Sequence, residues 1–421
     1  MAPWPNARRT ERAMMVAAVC AAMGCEPVTL RLPEAPPAPT TAPAPVTPVE
    51  TGACSTPCMG GRRCEAGACV PHWLPIRAPE VADREARTGQ YAVWTGEEVI
   101  VWGGHDPDDA SASGVRGDGF RFDPTRGEVR VLPATAAPAA RWQDGQQTAV
   151  WDGRAMIILG GITASGEAHD SAAYVPSLDA WERVPASPVR ASGLSAVFTG
   201  NEVLVWSAAV MGGASGAALR AGASGWAVLP SLAASAPREG HTAVWTGAEM
   251  LVWGGYESGA LRDDGLRYAP SKGRSRPMGT ARAPSARRRH TAVWTSSEML
   301  VFGGQVDGER AIAEAAAYVP AVDQWREMLP AEGAPSPRWG HVAAWDGSGM
   351  VVWGGTDGAA VRADGAVFDP VEGTWRAMPP LPEGSRGRWG AAAVWTGREL
   401  LILGGTEGRP TLDPLGWRYQ P

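Results

Sequence analysis

One phrase recurs seven times along the chain. Its clearest copy runs Arg238-Glu-Gly-His-Thr-Ala-Val-Trp-Thr-Gly-Ala-Glu-Met-Leu-Val-Trp-Gly-Gly255. Its central aromatic falls at Trp94, Trp151, Phe198, Trp245, Trp294, Trp345 and Trp395, with spacings of 57, 47, 47, 49, 51 and 50 residues. A period near fifty residues restricts the chain to an array of supersecondary units, a propeller or a solenoid, in which each unit buries its faces only against its neighbours.

The phrase reads as a hairpin. Thr242 to Trp245 and Met250 to Trp253 are short, apolar and rich in β-formers, without alternation, as suits strands buried on both faces. Between them lies a Gly-containing pair, such as Thr246-Gly247 or Asp152-Gly153, which supplies the positive φ of a tight turn; Ser296 stands in the glycine's place once. The second strand ends in a glycine pair in six copies, at 103–104, 160–161, 254–255, 303–304, 354–355 and 404–405. A third strand follows, ending in an aromatic and a proline (Phe122-Asp-Pro124, Tyr174-Val-Pro176, Tyr268-Ala-Pro270, Tyr318-Val-Pro320, Phe368-Asp-Pro370). A fourth carries tryptophan and ends at proline, as in 181–185, 325–330 and 375–379. Four antiparallel strands per unit make a propeller blade.

The glycine pair closing strand two, then Tyr or Phe, then Trp at set distances, resembles the kelch-repeat family over roughly residues 71–421. The fold expected is all-β: a seven-bladed β-propeller of kelch-like four-stranded blades. Pro71-His-Trp73-Leu-Pro-Ile-Arg-Ala-Pro79 reads as a fourth strand without its blade, and the last unit stops at Pro421 after a third strand around Trp417 to Tyr419. The N-terminal strand is therefore expected to complete the last blade, removing two exposed sheet edges. Unit three departs from the pattern, with Ser207-Ala208 where a glycine pair should be, and is expected to be the least well packed.

Ahead of the array the chain has three segments. Residues 1–25 read as a signal peptide: Arg8, Arg9 and Arg12 precede a short apolar stretch, and Ala22-Met23-Gly24-Cys25 resembles a bacterial lipobox, with alanine where leucine is usual. Lipidation at Cys25 would make the chain an exported, membrane-anchored lipoprotein at the outer membrane or cell surface; otherwise it is periplasmic or secreted. Residues 26–50 are a Pro/Ala/Thr-rich tether. Residues 51–70 carry Cys54, Cys58, Cys64 and Cys69, an even set expected to form disulfides in an exported chain, with connectivity open. A zinc site is the alternative, but the spacing lacks the paired Cys-x2-Cys of zinc ribbons.

The charge balance, 38 basic against 44 acidic residues, gives no basic footprint for nucleic acid. Arg287-Arg288-Arg289 reads as a solvated loop at a blade junction. With strand one innermost, the loop leading into it and the loop leaving strand two open on one face. Arg87, Arg238, Arg287, Arg338 and Arg388 each stand seven residues before the central aromatic; His241, His290 and His341 follow three residues later, with Gln90 and Gln147 at the matching place. These repeated residues suit either blade construction or a ligand. Trp142, Trp339, Trp389 and Tyr256 are not repeated and point more directly to recognition.

The expected ligand-binding face is Trp142, Tyr256, Arg338, Trp339, His341, Arg388 and Trp389: guanidinium groups for planar anions, rings for stacking. Trp245, at the centre of the phrase, is expected in the blade-packing set. No catalytic constellation, metal or cofactor is indicated. Three histidines at equivalent places could suggest a metal, but Leu194 and Ala391 break the series, and the aspartates of the first-unit loop lack the spacing of a calcium site. The kelch enzyme galactose oxidase needs a Tyr–Cys cross-link, and no cysteine lies beyond Cys69. The function expected is a monomeric, tethered recognition module for a protein, peptide or glycan. The alternative is a carbohydrate-active enzyme resembling the kelch-fold sialic-acid mutarotase, for which His341 and Glu407 are the available acid–base groups.

Overall fold

The computed structural model of the 421-residue chain describes residues 63–65, 68–77, 87–107, 109, 111, 114–143, 148–188, 193–207, 216–220, 225–229, 238–328, 332–407 and 415–421. Cys25, Cys54 and Cys58 lie outside these residues, as do Gln147 and residues 208–215 of the third unit. Cys64 is disulfide-bonded and sits on Arg63–Glu65, which pairs with Ala68–Val70 in a small hairpin. No helix among the described residues is long and apolar enough to cross a membrane.

Residues 72–421 form a seven-bladed β-propeller of four-stranded antiparallel sheets. The innermost strands of blades 1 to 7 are Tyr91–Trp94, Ala149–Trp151, Ser195–Phe198, Thr242–Trp245, Thr291–Trp294, Val342–Trp345 and Trp389–Trp395. Each neighbours the next around the axis, and the last neighbours the first, so the ring is closed. Blade 4 shows the register: Trp245 opposes Met250, Met250 opposes Tyr268, and Tyr268 opposes Ser275 on the edge strand. Second strands are buried on both faces throughout, because both faces meet neighbouring blades.

The turn between the first two strands has φ of 88–105° at its glycine in six blades, and Ser296 adopts φ 88° in blade 5. No atom lies within 4 Å of a Cβ added at Gly96, Gly153, Gly200, Gly247, Gly347 or Gly397, so the demand there comes from the backbone alone.

Seven apolar clusters fill the gaps between blades. Aromatics at the end of the second strands, Trp102, Trp206, Trp253, Phe302 and Trp353, are at most 1% exposed. Each of four packs on the fourth-strand tryptophan of the following blade: Trp102 on Trp181, Trp253 on Trp325, Phe302 on Trp375, and Trp353 on Trp73. Trp245, by contrast, is half-buried and packs at the margin of its cluster.

Closure follows from the same contacts. His72–Ile76 pairs antiparallel with Gly416–Gln420, placing Trp73 opposite Tyr419 and Pro75 opposite Trp417. Trp73 stacks at 5.0 Å on Tyr419, as Trp181 does on Tyr174 and Trp325 on Tyr318. Its Nε1 donates to the carbonyl of Pro379 at the end of the preceding blade, as Trp181 does to Pro133 and Trp226 to Pro185. The strand at the start of the array thus serves as an ordinary fourth strand. Blade 3 is the irregular one: its fourth strand is only Ala227–Val228.

Candidate functional site

The repeated arginines face inward. Arg87, Arg141, Arg238, Arg287, Arg338 and Arg388 are at most 5% exposed. Each donates Nη1 to the carbonyl of the first glycine of its own blade's pair, at 3.0–3.2 Å. The same nitrogen reaches a carbonyl at the start of the third strand, and among the described residues the group pairs with a carboxylate there in five blades: Asp118, Asp170, Asp264, Glu314 or Asp364. The carbonyl of the arginine then accepts from the second glycine of the preceding blade, as in Gly255 to Arg287, Gly304 to Arg338, Gly355 to Arg388 and, across the ring seam, Gly405 to Arg87. Arg87, Arg141, Arg287, Arg338 and Arg388 therefore each pin two blades, and the glycine pair is needed because side chains there would collide with the backbone brought so close.

Arg338 and Arg388 were expected to supply ligand contacts; burial and these hydrogen bonds commit them to the frame instead. Arg141 has the same role but stands ten residues before Trp151 rather than seven, an offset that hid it from the repeat spacing.

His341 is likewise structural. His241, His290 and His341 are buried, and their Nε2 atoms meet Ser195, Thr242 and Thr291 hydroxyls of the preceding blade at 2.7–2.8 Å. Each ring stands edge-on to the aromatic ending a second strand: Trp206, Trp253 and Phe302. Burial and the neighbouring arginine push the pKa of His241 and of His341 down to about 3, and burial pushes His290 well below its ordinary value. All three are therefore neutral near pH 7, each occupied at Nε2 by a hydroxyl of the preceding blade, which commits them to joining neighbouring blades. A glutamate also recurs at the start of five second strands or just before them, at 98, 202, 249, 298 and 399, and among the described residues does not engage these arginines or histidines. These glutamates pair with arginines further along each blade: Glu98 with Arg121, Glu202 with Arg220, Glu249 with Arg267, Glu298 with Arg326 and Glu399 with Arg418.

The lead-in and exit segments do share a face, because they pair backbone to backbone beyond the glycines. Thr88 pairs with His105, Trp142 with Ile162, Glu239 with Tyr256, Arg288 with Gln305, Trp339 with Thr356 and Trp389 with Thr406. The non-repeated aromatics gather at this mouth, all half-buried. Trp339 and Trp389, from adjacent blades, meet edge to face at 5.4 Å. Trp142 lies 5.5 Å from the His105 ring. The three-arginine run divides among different tasks rather than forming a solvated charge run. Arg287 is buried, Arg288 lies 5.2 Å over Tyr256, and Arg289 lies 5.2 Å over Trp339. The mouth from blade 4 to blade 7 thus carries two rings overlaid by guanidinium groups, Tyr256 and Trp339, with Trp389 beside the second, an arrangement able to hold a partner carrying both apolar groups and negative charge. Sequence reasoning missed Arg288 and Arg289 because a charge run alone does not show that rings await it on both sides.

Residues 233–415 match a kelch-repeat family model. It is the KLHDC2/KLHL20/DRC7 Kelch-repeats domain, and the match spans blades 4 to 6 and the first two strands of blade 7. No curated protein matches the chain. The kelch-repeat match supports a kelch-repeat family for the array, and with the propeller it supports a binding role in general.

Proposed function

We propose that the protein is a recognition module that binds a protein, peptide or glycan partner through the face bearing Trp142, Tyr256, Trp339 and Trp389. The observation that carries the reading is the pair Trp339 and Trp389. They are non-repeated, half-buried rings in contact across two blades at the mouth, where no role in pinning the blades calls for them. Large amphipathic side chains so placed are the residue types that dominate binding energy. The proposed location is a membrane surface. Cys25 follows a lipobox-like stretch, and the Pro/Ala/Thr-rich residues 26–50 would hold the propeller away from the bilayer. The test is a peptide and glycan array probed with residues 26–421 and with the Trp339→Ala, Trp389→Ala double variant. Partners retained by the first and lost by the second are expected; partners bound equally by both would refute the assignment of this face.

A further inference from the structure

The face opposite the mouth is made of two sets of turns, one joining the first and second strands of each blade, the other the third and fourth. The second set has a common plan. Its proline is followed by two exposed residues and then by a left-handed one: Gly127 at φ 70°, Asp179 at 48°, Gly273 at 57°, Asp323 at 56° and Gly373 at 69°. Proline, glycine and aspartate supply what such a turn requires, so it places no demand on the two exposed side chains. These positions carry Arg126 in blade 1, Leu178 in blade 2, Lys272 in blade 4, Val322 in blade 5 and Val371 in blade 6.

Five large hydrophobic side chains are exposed among the described residues, and the three most exposed are Leu178 at 62%, Val322 at 61% and Val371 at 89%. All three stand at this one kind of turn on this one face, and none belongs to an interblade cluster. The other two, Val131 and Val228, lie on outer strands. A single exposed aliphatic is ordinary, whereas exposed aliphatics gathered on one face mark a contact. Charge on this face also departs from that of the chain. At the turn tips Arg126, Arg154, Lys272 and Arg398 stand against Glu97 and Glu372, in a chain of 38 basic and 44 acidic residues. Arg126 and Arg154 each hold a neighbouring carboxylate, Asp123 and Glu182. The chain enters the ring here as well. His72 pairs with Gln420, and Ile76 with Gly416 nearer the glycine pair at the mouth, so the closing strand begins at the far end.

We propose that this face is a lipid-contacting surface: Leu178, Val322 and Val371 settle into the interfacial layer of a bilayer, with Lys272 and Arg398 at its anionic headgroups, and the mouth points away. The proposal goes beyond recognition at the mouth and rests on the membrane location inferred above. Aliphatic tips with flanking cations suit an interface, because the apolar groups leave water while the ammonium and guanidinium groups stay at headgroup level. Equivalent turns of a ring stand at one height, and the three aliphatics are spread from blade 2 to blades 5 and 6. That spacing fits a broad, flat, deformable partner better than a compact protein surface. Three side chains alone give weak, reversible binding. The contact therefore sets orientation rather than residence: the tether of residues 26–50 lets the ring stand off or settle, and settling turns the mouth outward.

The test is flotation of residues 26–421, which hold the whole ring and lack Cys25, with vesicles of phosphatidylethanolamine and phosphatidylglycerol, and with phosphatidylcholine vesicles for comparison. The parent is expected to float with the anionic vesicles at millimolar lipid. The triple variant Leu178→Ser, Val322→Ser, Val371→Ser should partition about tenfold more weakly with an unaltered melting temperature. The double variant Lys272→Glu, Arg398→Glu should weaken partitioning to anionic vesicles and leave that to phosphatidylcholine unaltered. A parent that does not float, or a triple variant that floats as the parent does, overturns the proposal. So does loss of partitioning in Trp339→Ala, which would put the mouth on the bilayer, and so does a lowered melting temperature in the triple variant, which would make the three residues structural. A dimer seen by light scattering and broken by the triple variant would assign the face to a second copy of the chain and overturn it as well. Failure of the anchor reads separately: Cys25 is absent from every chain floated, so a wrong anchor changes the cell fractionation of Cys25→Ala and none of these results.

Discussion

Closure of the ring by its first strand can be tested at Trp73. The side chain is 6% exposed, stacks on Trp353 at 5.5 Å and Tyr419 at 5.0 Å, and donates Nε1 to the Pro379 carbonyl at 2.8 Å. Trp73→Ala removes all three contacts and leaves a cavity between blades 6 and 7, which places the loss at about 3–5 kcal/mol. Trp73→Phe keeps most of the stacking and loses the hydrogen bond, which places it nearer 1–2 kcal/mol. Over the roughly 350 residues of the ring, an unfolding entropy of about 2 cal/mol/K per residue turns about 4 kcal/mol into a melting shift of about 5 °C. Removing residues through 77 goes further, because it bares the edge of Gly416–Gln420, which ought to pair with another copy. The assays are thermal unfolding of the point variants and size-exclusion chromatography with light scattering of the truncated chain. A truncated chain that stays monomeric with an unaltered melting temperature would show that the seam holds without this strand, and the closure argument would fail.

Other consequences follow from single residues. The three buried histidines have folded-state pKa values below the unfolded value of about 6.5. As pH falls below about 6.5 the unfolded chain takes up protons that the ring does not, so stability falls by up to about 1.4 kcal/mol per pH unit for each histidine. His290→Gln should reduce the slope of denaturant midpoint against pH between 6 and 5, and an unchanged slope would contradict the burial argument. Ser296→Gly places the residue type of the other six turns at φ 88° and should stabilise by about 1 kcal/mol, read as a raised urea midpoint. Trp253→Ala, at 0% exposure, should cost about 3–5 kcal/mol of stability. Trp339→Ala should leave unfolding nearly unchanged and cost about 2 kcal/mol of partner binding by calorimetry. Cys25→Ala should move the protein from the membrane fraction to the soluble one; continued membrane association would refute the proposed anchor.

The frame was legible in the sequence because it is written in repeats. Blade count, strand order and the seam all follow from aromatics, glycines and prolines that recur with period near fifty, and residues 72–76 were recognisable as a stray fourth strand by the same signature. What a repeat cannot convey is which way a conserved-looking side chain turns. The arginines before each blade looked equally suited to a ligand and to the frame. The paired glycines decided it, because they bring carbonyls close enough for a guanidinium to hold two blades, and so bury the charge. Trp245 does belong to the packing between blades, but at its margin: the most deeply buried aromatic is the one ending the neighbouring strand, Trp253. A departure from the pattern has meaning only against its neighbours in space. Arg289 is one residue of a basic run until the fold shows that five blades place glycine at the same left-handed position and that Trp339 of the adjoining blade lies beneath its guanidinium.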